Sequence, residues 1–268
     1  MKDDRRVALH IAAGIAALTQ HAAGAAVLDA EERARAARLR LDADRLSFCA
    51  AHVLLRQSLT RQVPLSPAQW RFCHGEHGRP EIDTNLLPDA MGLHFNLSHT
   101  REVVCCAVTR VGAVGVDVEC HRPIRDRLAL ATRFFTADEA AAIAASGRDS
   151  DAAEAASFYS FWTLKEAYVK ARGLGISMGL DRFAFRLGDV DRPGIALEVE
   201  PDAPAPADAW RCLLLRLDGG RCLLAVVVRA LDMISIMPLL HAGGAPVPSL
   251  ELVGATRGVE LLPVVVLD

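Results

Sequence analysis

Three short segments carry polar residues where packing alone would favour apolar ones. The first is Gly115-Val116-Asp117-Val118-Glu119. Its valine-rich alternation predicts a short strand, whose side chains point alternately to opposite faces. Asp117 and Glu119 then project from one face while Val116 and Val118 take the other. Two neighbouring carboxylates raise each other's pKa, and a divalent cation is the natural compensation, although an edge strand with a solvated face gives the same pattern. The second segment, 161–170, contains Lys165, Glu166 and Lys170. On a helix Glu166 and Lys170 share a face, and Lys165 lies about 100° round from Glu166. An ordinary surface ion pair would look the same, but Phe158, Phe161, Trp162, Tyr168 and Val169 leave little of this helix for water. The third segment is Phe95-Asn96-Leu97-Ser98-His99-Thr100. Ser98 and His99 cannot pair as nucleophile and base, because adjacent residues of an extended chain point opposite ways, and no G-x-S-x-G elbow is present. A strand end offering hydroxyl, imidazole and backbone N–H groups suits an anion better.

Helices and strands must hold these groups. Asp29 with Glu32 reads as a helix start, with the helix running to about residue 41, and a second helix covers 44–59 from the spacing of Leu46, Cys49, Val53 and Leu54. Glycines and prolines punctuate 64–80, after which strands are expected near 93–97, 103–108 and 114–118. Thr136 with Glu139 opens an Ala-rich helix ended by Gly147, and Asp151 with Glu154 opens a longer one that stops at Gly173. Strands follow at 182–187, 195–200, 210–217 and 221–229, with Asp218-Gly219-Gly220 as a hairpin turn. The fold class is therefore α+β, in two halves, each with helices packed on a mostly antiparallel sheet. The boundary falls near 110, giving 1–110 and 111–230, with 231–268 as an apolar extension.

Composition excludes several classes. With 268 residues, 51% of them hydrophobic, the chain can bury a large core, and its net charge of -3 advertises neither a nucleic-acid nor a membrane partner. No apolar run approaches the roughly 20 residues needed to cross a bilayer. The stretch 7–27 is Ala-rich like a signal-peptide core but is interrupted by His10, Thr19, Gln20 and His21. The seven cysteines are odd in number and form no C-x-x-C pair, so they read as small buried apolar residues of a cytoplasmic, reducing compartment. His74 and His77 lie in a glycine-marked turn with no second ligand pair to make a zinc site.

In this order and spacing, G-V-D-V-E at 115–119 and F-W-T-L-K-E-A-Y-V-K at 161–170 resemble the paired signatures of 4'-phosphopantetheinyl transferases of the surfactin type. N-L-S-H at 96–99 and Gly78-Arg79-Pro80 are similar to that family's upstream motifs. The resemblance spans 29–229 and implies two similar halves about a pseudo-twofold axis in a monomer, with coenzyme A in the cleft between them. It further implies that Asp117, Glu119 and Glu166 hold Mg²⁺, that Lys165 and Lys170 face the phosphates, and that Arg79, Ser98, His99 and Arg35 bind the coenzyme. The implied reaction moves phosphopantetheine to a serine of an apo acyl or peptidyl carrier protein and releases adenosine 3',5'-bisphosphate. Glu166 or a metal-bound hydroxide would be the base, with Lys170 or Lys165 stabilising the leaving phosphate. Two departures stand out: Glu32 sits where longer relatives carry a basic residue, and Phe48 where some carry a small hydroxyl, so that Arg38 and Arg45 are the available substitutes.

Three rival readings are a degenerate module that binds without turnover, an unrelated metal-dependent phosphohydrolase and a protein with only structural ion pairs. The full set of carboxylates and lysines argues against the first. The lack of His and Asp clusters for a two-metal site argues against the second. For 231–268, Gly243, Gly244, Pro246 and Pro248 break any helix, while 259–267 is rich in strand formers and Pro263 excludes a central strand. This tail is expected to dock on the second half or on a neighbouring copy, away from the metal cleft.

Overall fold

The computed structural model describes residues 5–75, 78–175, 178–188, 194–200, 203, 205–243 and 248–267; His77, Gly244 and Pro246 lie outside them. Two sheets lie face to face. The first contains β1 (Arg6–Ala13), β4 (His94–His99), β5 (Val103–Thr109), β11 (Ile234–His241), β13 (Val259–Leu261) and β14 (Val265–Leu267). Its order is β13-β11-β1-β5-β4, with β14 also on β11. The second contains β6 (Val114–Cys120), β9 (Trp210–Leu217), β10 (Cys222–Arg229) and β12 (Leu250–Ala255), in the order β12-β9-β10-β6. Between them lies a core in which Val7, Leu9 and Ile11 of β1 meet Val116 and Val118 of β6 and Leu224 and Val226 of β10.

The outer face of each sheet is covered by helices. α1 (Ile15–Ala23) and α3 (Asp42–Thr60) pack on the first sheet, with α2 (Ala30–Arg38) against α3. α4 (Arg127–Phe134), α5 (Ala137–Gly147) and α6 (Asp151–Arg172) cover the second. Two small hairpins, β2 (Phe72–His74) with β3 (Pro80–Ile82) and β7 (Phe183–Leu187) with β8 (Ile195–Val199), flank these layers. The central strands β1, β5 and β10 are therefore buried on both faces, which is why they read as continuous apolar runs. Among the described residues no helix is long and apolar enough to cross a membrane.

Local signals set several boundaries as expected. Asp29 and Glu32 form a reciprocal capping box at α2, as do Thr136 and Glu139 at α5. Gly173 ends α6 with φ 70, in the left-handed region glycine tolerates best. The start of α6 differs from expectation: Ser150, not Asp151, is the N-cap, its hydroxyl accepting from the Ala153 N–H, which leaves Asp151 and Glu154 free to pair with Arg127.

The Ala-rich stretch 7–27, whose interruptions spoke against a leader, contains most of β1, a strand for which no expectation was made, in the middle of the first sheet and flanked by β5 and β11. The tail docks elsewhere than expected. β11 pairs in parallel with β1 of the first sheet, β13 and β14 pair with β11, and only β12 joins β9 of the second. Pro263 lies between the two short edge strands, where no ladder donor is required. Pro238 sits inside β11 for a related reason. The Ile236 carbonyl accepts from Leu262, so the side from which Pro238 lacks a donor faces the gap between β13 and β14.

Candidate active site

The two sheets meet along a seam between β4 and β6. β6 ends the second sheet and pairs through its ladder with β10 alone. Its outward N–H groups are taken by side chains instead: Val116 donates to Asn96 Oδ1 at 2.9 Å and Val118 to Ser98 Oγ at 3.4 Å. Asn96 and Ser98, separated by Leu97, thus point the same way by the period of the strand and join the halves. Arg79 adds a clamp. Its guanidinium donates to the carbonyls of Lys170 (2.5 Å), Phe95 (3.0 Å) and Val114 (2.9 Å), linking α6, β4 and β6.

α6 lies directly on β6. A Cβ at Gly115 would collide with the Ala167 carbonyl oxygen and come within 2.5 Å of the Ala171 nitrogen, so only glycine lets helix and strand approach this closely. That approach carries Glu166 and Lys170 to the face of β6 from which Asp117 and Glu119 project. Lys170 Nζ donates to Asp117 Oδ1 at 2.6 Å and to Ser98 Oγ at 2.9 Å, and the Ser98 hydroxyl donates to Asp117 Oδ1 at 2.8 Å. Burial alone would lower the Lys170 pKa, but attraction to Asp117 overcomes it and the pKa is raised.

Negative charge is left over. Asp117 is buried and its second oxygen, Oδ2, has no partner. Among the described residues neither the Glu119 nor the Glu166 side chain makes a hydrogen bond or ion pair. Burial, and then the charges of Asp117 and Glu166, push Glu119 up to about 7 despite Arg122 and Lys170. Glu166 is likewise raised, first by burial and then by Asp117. Three carboxylates around one ammonium, with a buried oxygen unpartnered, fit a hard divalent cation that takes oxygen ligands.

Lys165 is not part of this group. It is 0% exposed and its ammonium is fully used, on Glu139 (2.7 Å) and on the carbonyls of Leu180 and Phe183 (both 2.7 Å). The expectation that it faces phosphates is corrected by this packing, since the ammonium also lies 4.4 Å from the centre of the Phe183 ring on the far side of α6. Arg79 sits at the seam, where three of its five N–H donors go to backbone carbonyls. His99 lies at the exposed end of β4; loss of water, then the charges of His52 and Lys170, lower its pKa to about 4. Arg35 is exposed on α2, with its guanidinium 5.7 Å from the Phe48 ring.

The departures at Glu32 and Phe48 have a structural account. Glu32 turns inward, accepting from Arg56 at 2.6 Å and meeting His52 Nδ1 at 2.8 Å, while Phe48 packs on His52 with ring centres 4.1 Å apart. Arg45 pairs with Asp42 and donates to the Leu39 carbonyl at the start of α3. The roles of Asn96 and Gly115 were missed, although the alternation of Asn96 and Ser98 with Leu97 was a readable signal.

A family model described as 4'-phosphopantetheinyl transferase superfamily matches residues 113–213, and one described as 4'-phosphopantetheinyl transferase, N-terminal, matches 17–110. The chain is 34% identical over 205 residues to the 4'-phosphopantetheinyl transferase HetI of Nostoc sp., covering 76% of this chain and 79% of that protein. It is 34% identical over 154 residues to the 4'-phosphopantetheinyl transferase Sfp of Bacillus subtilis, covering 58% and 62%. A further Bacillus subtilis 4'-phosphopantetheinyl transferase is 32% identical over 181 residues, covering 68% and 75%.

Proposed function

Because this chain belongs to the 4'-phosphopantetheinyl transferase superfamily, we propose that it moves the phosphopantetheine arm of coenzyme A to a serine of an apo acyl or peptidyl carrier protein. The observation that carries this reading is the unpartnered buried Oδ2 of Asp117, flanked by two carboxylates that also lack partners. Asp117, Glu119 and Glu166 would hold magnesium. Bound there, the ion would draw in the diphosphate oxygens and offset the charge that builds as the phosphoanhydride bond breaks.

The chain's own groups do the rest. Lys170, kept protonated by Asp117, presents a fixed positive charge beside the site of the leaving phosphate, and charge placed in advance commonly contributes several kcal/mol to barrier lowering. The carrier serine attacks the β-phosphorus, the bond from that phosphorus to the bridging oxygen breaks, and adenosine 3',5'-bisphosphate departs. Glu166 accepts the serine proton. His99 and Arg35, both exposed on the first-half side of the seam, take the coenzyme's 3'-phosphate. Ser98 ties Lys170 to Asp117. We read it as a monomer acting in the cytoplasm, where coenzyme A and unmodified carriers meet.

The test is to incubate the full chain with coenzyme A, Mg²⁺ and a panel of apo carriers from fatty-acid, polyketide and peptide synthesis. The expected result is the mass gain of one phosphopantetheine arm on the carrier, abolished by chelator. Coenzyme A binding without any mass gain across the panel would instead favour a module that binds without turnover.

A further inference from the structure

The seven cysteines divide into five free thiols and one bridged pair. Cys105, Cys106 and Cys212 are buried thiols whose pKa is raised by burial, to about 12 for Cys105 and Cys212; Cys49 is half-buried and also raised by burial; Cys73 is exposed. Cys120 and Cys222 are joined in a disulfide, contrary to the expectation that all seven serve as reduced apolar residues. Sequence spacing gave no hint of this pair, because its members are 102 residues apart.

The place of the bridge gives it a consequence. Cys120 is the last residue of β6 and directly follows Glu119. It faces Cys222 across the antiparallel ladder. The next ladder bond, from the His121 N–H to the Arg221 carbonyl at 2.9 Å, marks Cys120 and Cys222 as a pair that no backbone hydrogen bond joins directly. Just beyond this point the chain is fastened by that bond, by the His121 ring stacked on Tyr159 with centres 4.7 Å apart, and by the Tyr159 hydroxyl against Arg122. Cys120 shares the inner face of β6 with Val116 and Val118, whereas Glu119 points to the α6 face. The sulfurs therefore do not touch the carboxylates, and their state reaches Glu119 through the strand backbone.

The bridge is also reachable. Cys120 is half-buried, and a cavity of about 380 Å³ lined by Arg101, Glu102, Asp218, Arg221 and Cys222 opens beside it. Its charged lining is paired rather than of one sign: Arg101 meets Asp44 at 2.6 Å, and Arg221 meets Glu102 at 2.5 Å, the Glu102 carboxylate having an oxygen within 4.8 Å of both sulfurs.

We propose that Cys120 and Cys222 form a reversible redox modification site, closed and opened by a low-molecular-weight thiol–disulfide couple such as glutathione, whose state sets how firmly Glu119 is held in the carboxylate cluster. In closing, the thiolate of one cysteine attacks a sulfur of glutathione disulfide and displaces one glutathione thiolate, leaving a mixed disulfide. The second cysteine gives up its proton and attacks the first cysteine's sulfur, expelling the other glutathione thiolate. One S–S bond is broken and one formed, two thiol protons are released, the cysteines are oxidised and the glutathione disulfide is reduced. Reduction reverses these steps and leaves the end of β6 with one fewer tie. The coupling to Glu119 rests on the reading that the three carboxylates bind magnesium.

The full chain is equilibrated in glutathione buffers of graded ratio, its free thiols are alkylated, and residues 120 and 222 are followed by peptide mass. Magnesium binding is measured by calorimetry on the oxidised and reduced forms, on Cys222→Ser and on the control Cys73→Ser. The bridged fraction should track the glutathione ratio. Reduced protein and Cys222→Ser should bind magnesium about three- to tenfold more weakly than the bridged form, less than the loss expected when a direct outer-sphere partner of a metal ligand is removed. Cys73→Ser should retain the redox response, and Cys222→Ser should lose it. A pair that stays bridged, or stays reduced, across the whole range overturns the modification site. Equal magnesium affinity of the two wild-type forms overturns the coupling. A preserved affinity difference in a protein that modifies no carrier fails the transferase reading and leaves this inference standing.

Discussion

Lys165 and Lys170 lie little more than one turn apart on α6, yet they occupy opposite kinds of surroundings. Around Lys165 every polar group is answered. Its ammonium meets Glu139 and two carbonyls, and Glu139 in turn accepts from the Thr136 N–H and hydroxyl and from the Phe185 N–H. Around Lys170 the count does not close, because one ammonium stands among three carboxylates and Asp117 Oδ2 has no partner. A satisfied buried network fastens helix to helix to strand, whereas an unsatisfied one waits for something from outside the chain. The type of residue and its place on the helix do not distinguish the two cases.

The largest effect should come from breaking the satisfied cluster. Lys165→Met leaves the Glu139 charge buried without its counter-ion, a loss of about 3–5 kcal/mol, and Glu139→Gln in the same chain should recover part of it. Chemical denaturation checks this. If the single variant is as stable as the wild type but transfers no phosphopantetheine, Lys165 belongs with the chemistry after all. The next largest effect is on activity. Glu166→Gln should lower transfer at least about a hundredfold, the scale for losing a group that serves charge in the transition state. Its melting temperature without metal should equal or exceed that of the wild type, because a repelling charge is gone. A variant with unchanged turnover would remove Glu166 from the cluster's function.

A third cluster lies between these extremes. His10 Nδ1 and His241 Nε2 are 3.1 Å apart where β1 meets β11, while His10 Nε2 and the neighbouring His21 Nε2 are buried without partners. Burial first, then the neighbouring histidines and Arg61, hold His10 down at about 3 and His241 at about 4, against an ordinary value of 6.5. Both rings are neutral in the fold, and the unfolded chain binds protons below pH 6.5 that the fold refuses. Their contribution to stability is therefore complete above pH 6.5 and is lost as pH falls toward 4. The melting temperature should drop by roughly 5 °C or more between pH 7 and pH 5. His10→Leu should flatten that slope, and an unchanged slope in the variant would place the acid sensitivity elsewhere.

The smallest effect tests the clamp at the seam. Arg79→Lys keeps the charge but replaces the planar fork, whose two terminal nitrogens reach carbonyls on three elements, with a single nitrogen. Loss of about one net hydrogen bond, near 1 kcal/mol, should lower kcat about fivefold and leave KM for coenzyme A unchanged. A rise in KM alone would return Arg79 to the phosphate-binding role that the family resemblance implied.

Legibility in the sequence followed the range of the interaction. Asp117 with Glu119, and Glu166 with Lys170, could be placed on common faces because strand and helix periods act within a few residues. The capping boxes at Asp29 and Thr136 were readable for the same reason. Lys165 was misread because its direction is decided by Glu139 on another helix and by carbonyls beyond Gly173, which no local period reports. β1 escaped notice because a strand buried on both faces shows no alternation, and its ladder partner Ser235 for Arg6 lies near the other end of the chain. The Cys120–Cys222 pair was invisible for the same reason.

That pairing of β1 with β11 also bears on how the chain comes into being. A nascent protein emerges from its N-terminus and folds what it can as it lengthens. Here β1, which precedes the other described strands, can find β5 on one side once residue 109 has appeared. Its other edge stays open until β11 arrives, after the whole second sheet except β12 has been synthesised. Throughout that interval Val7, Leu9 and Ile11 lack the cover they later share with Ile234 and Ile236. Between the appearance of β5 and that of β11 the growing chain therefore carries an unpaired, apolar strand edge, a surface on which a chaperone or a second nascent copy can act before the enzyme exists.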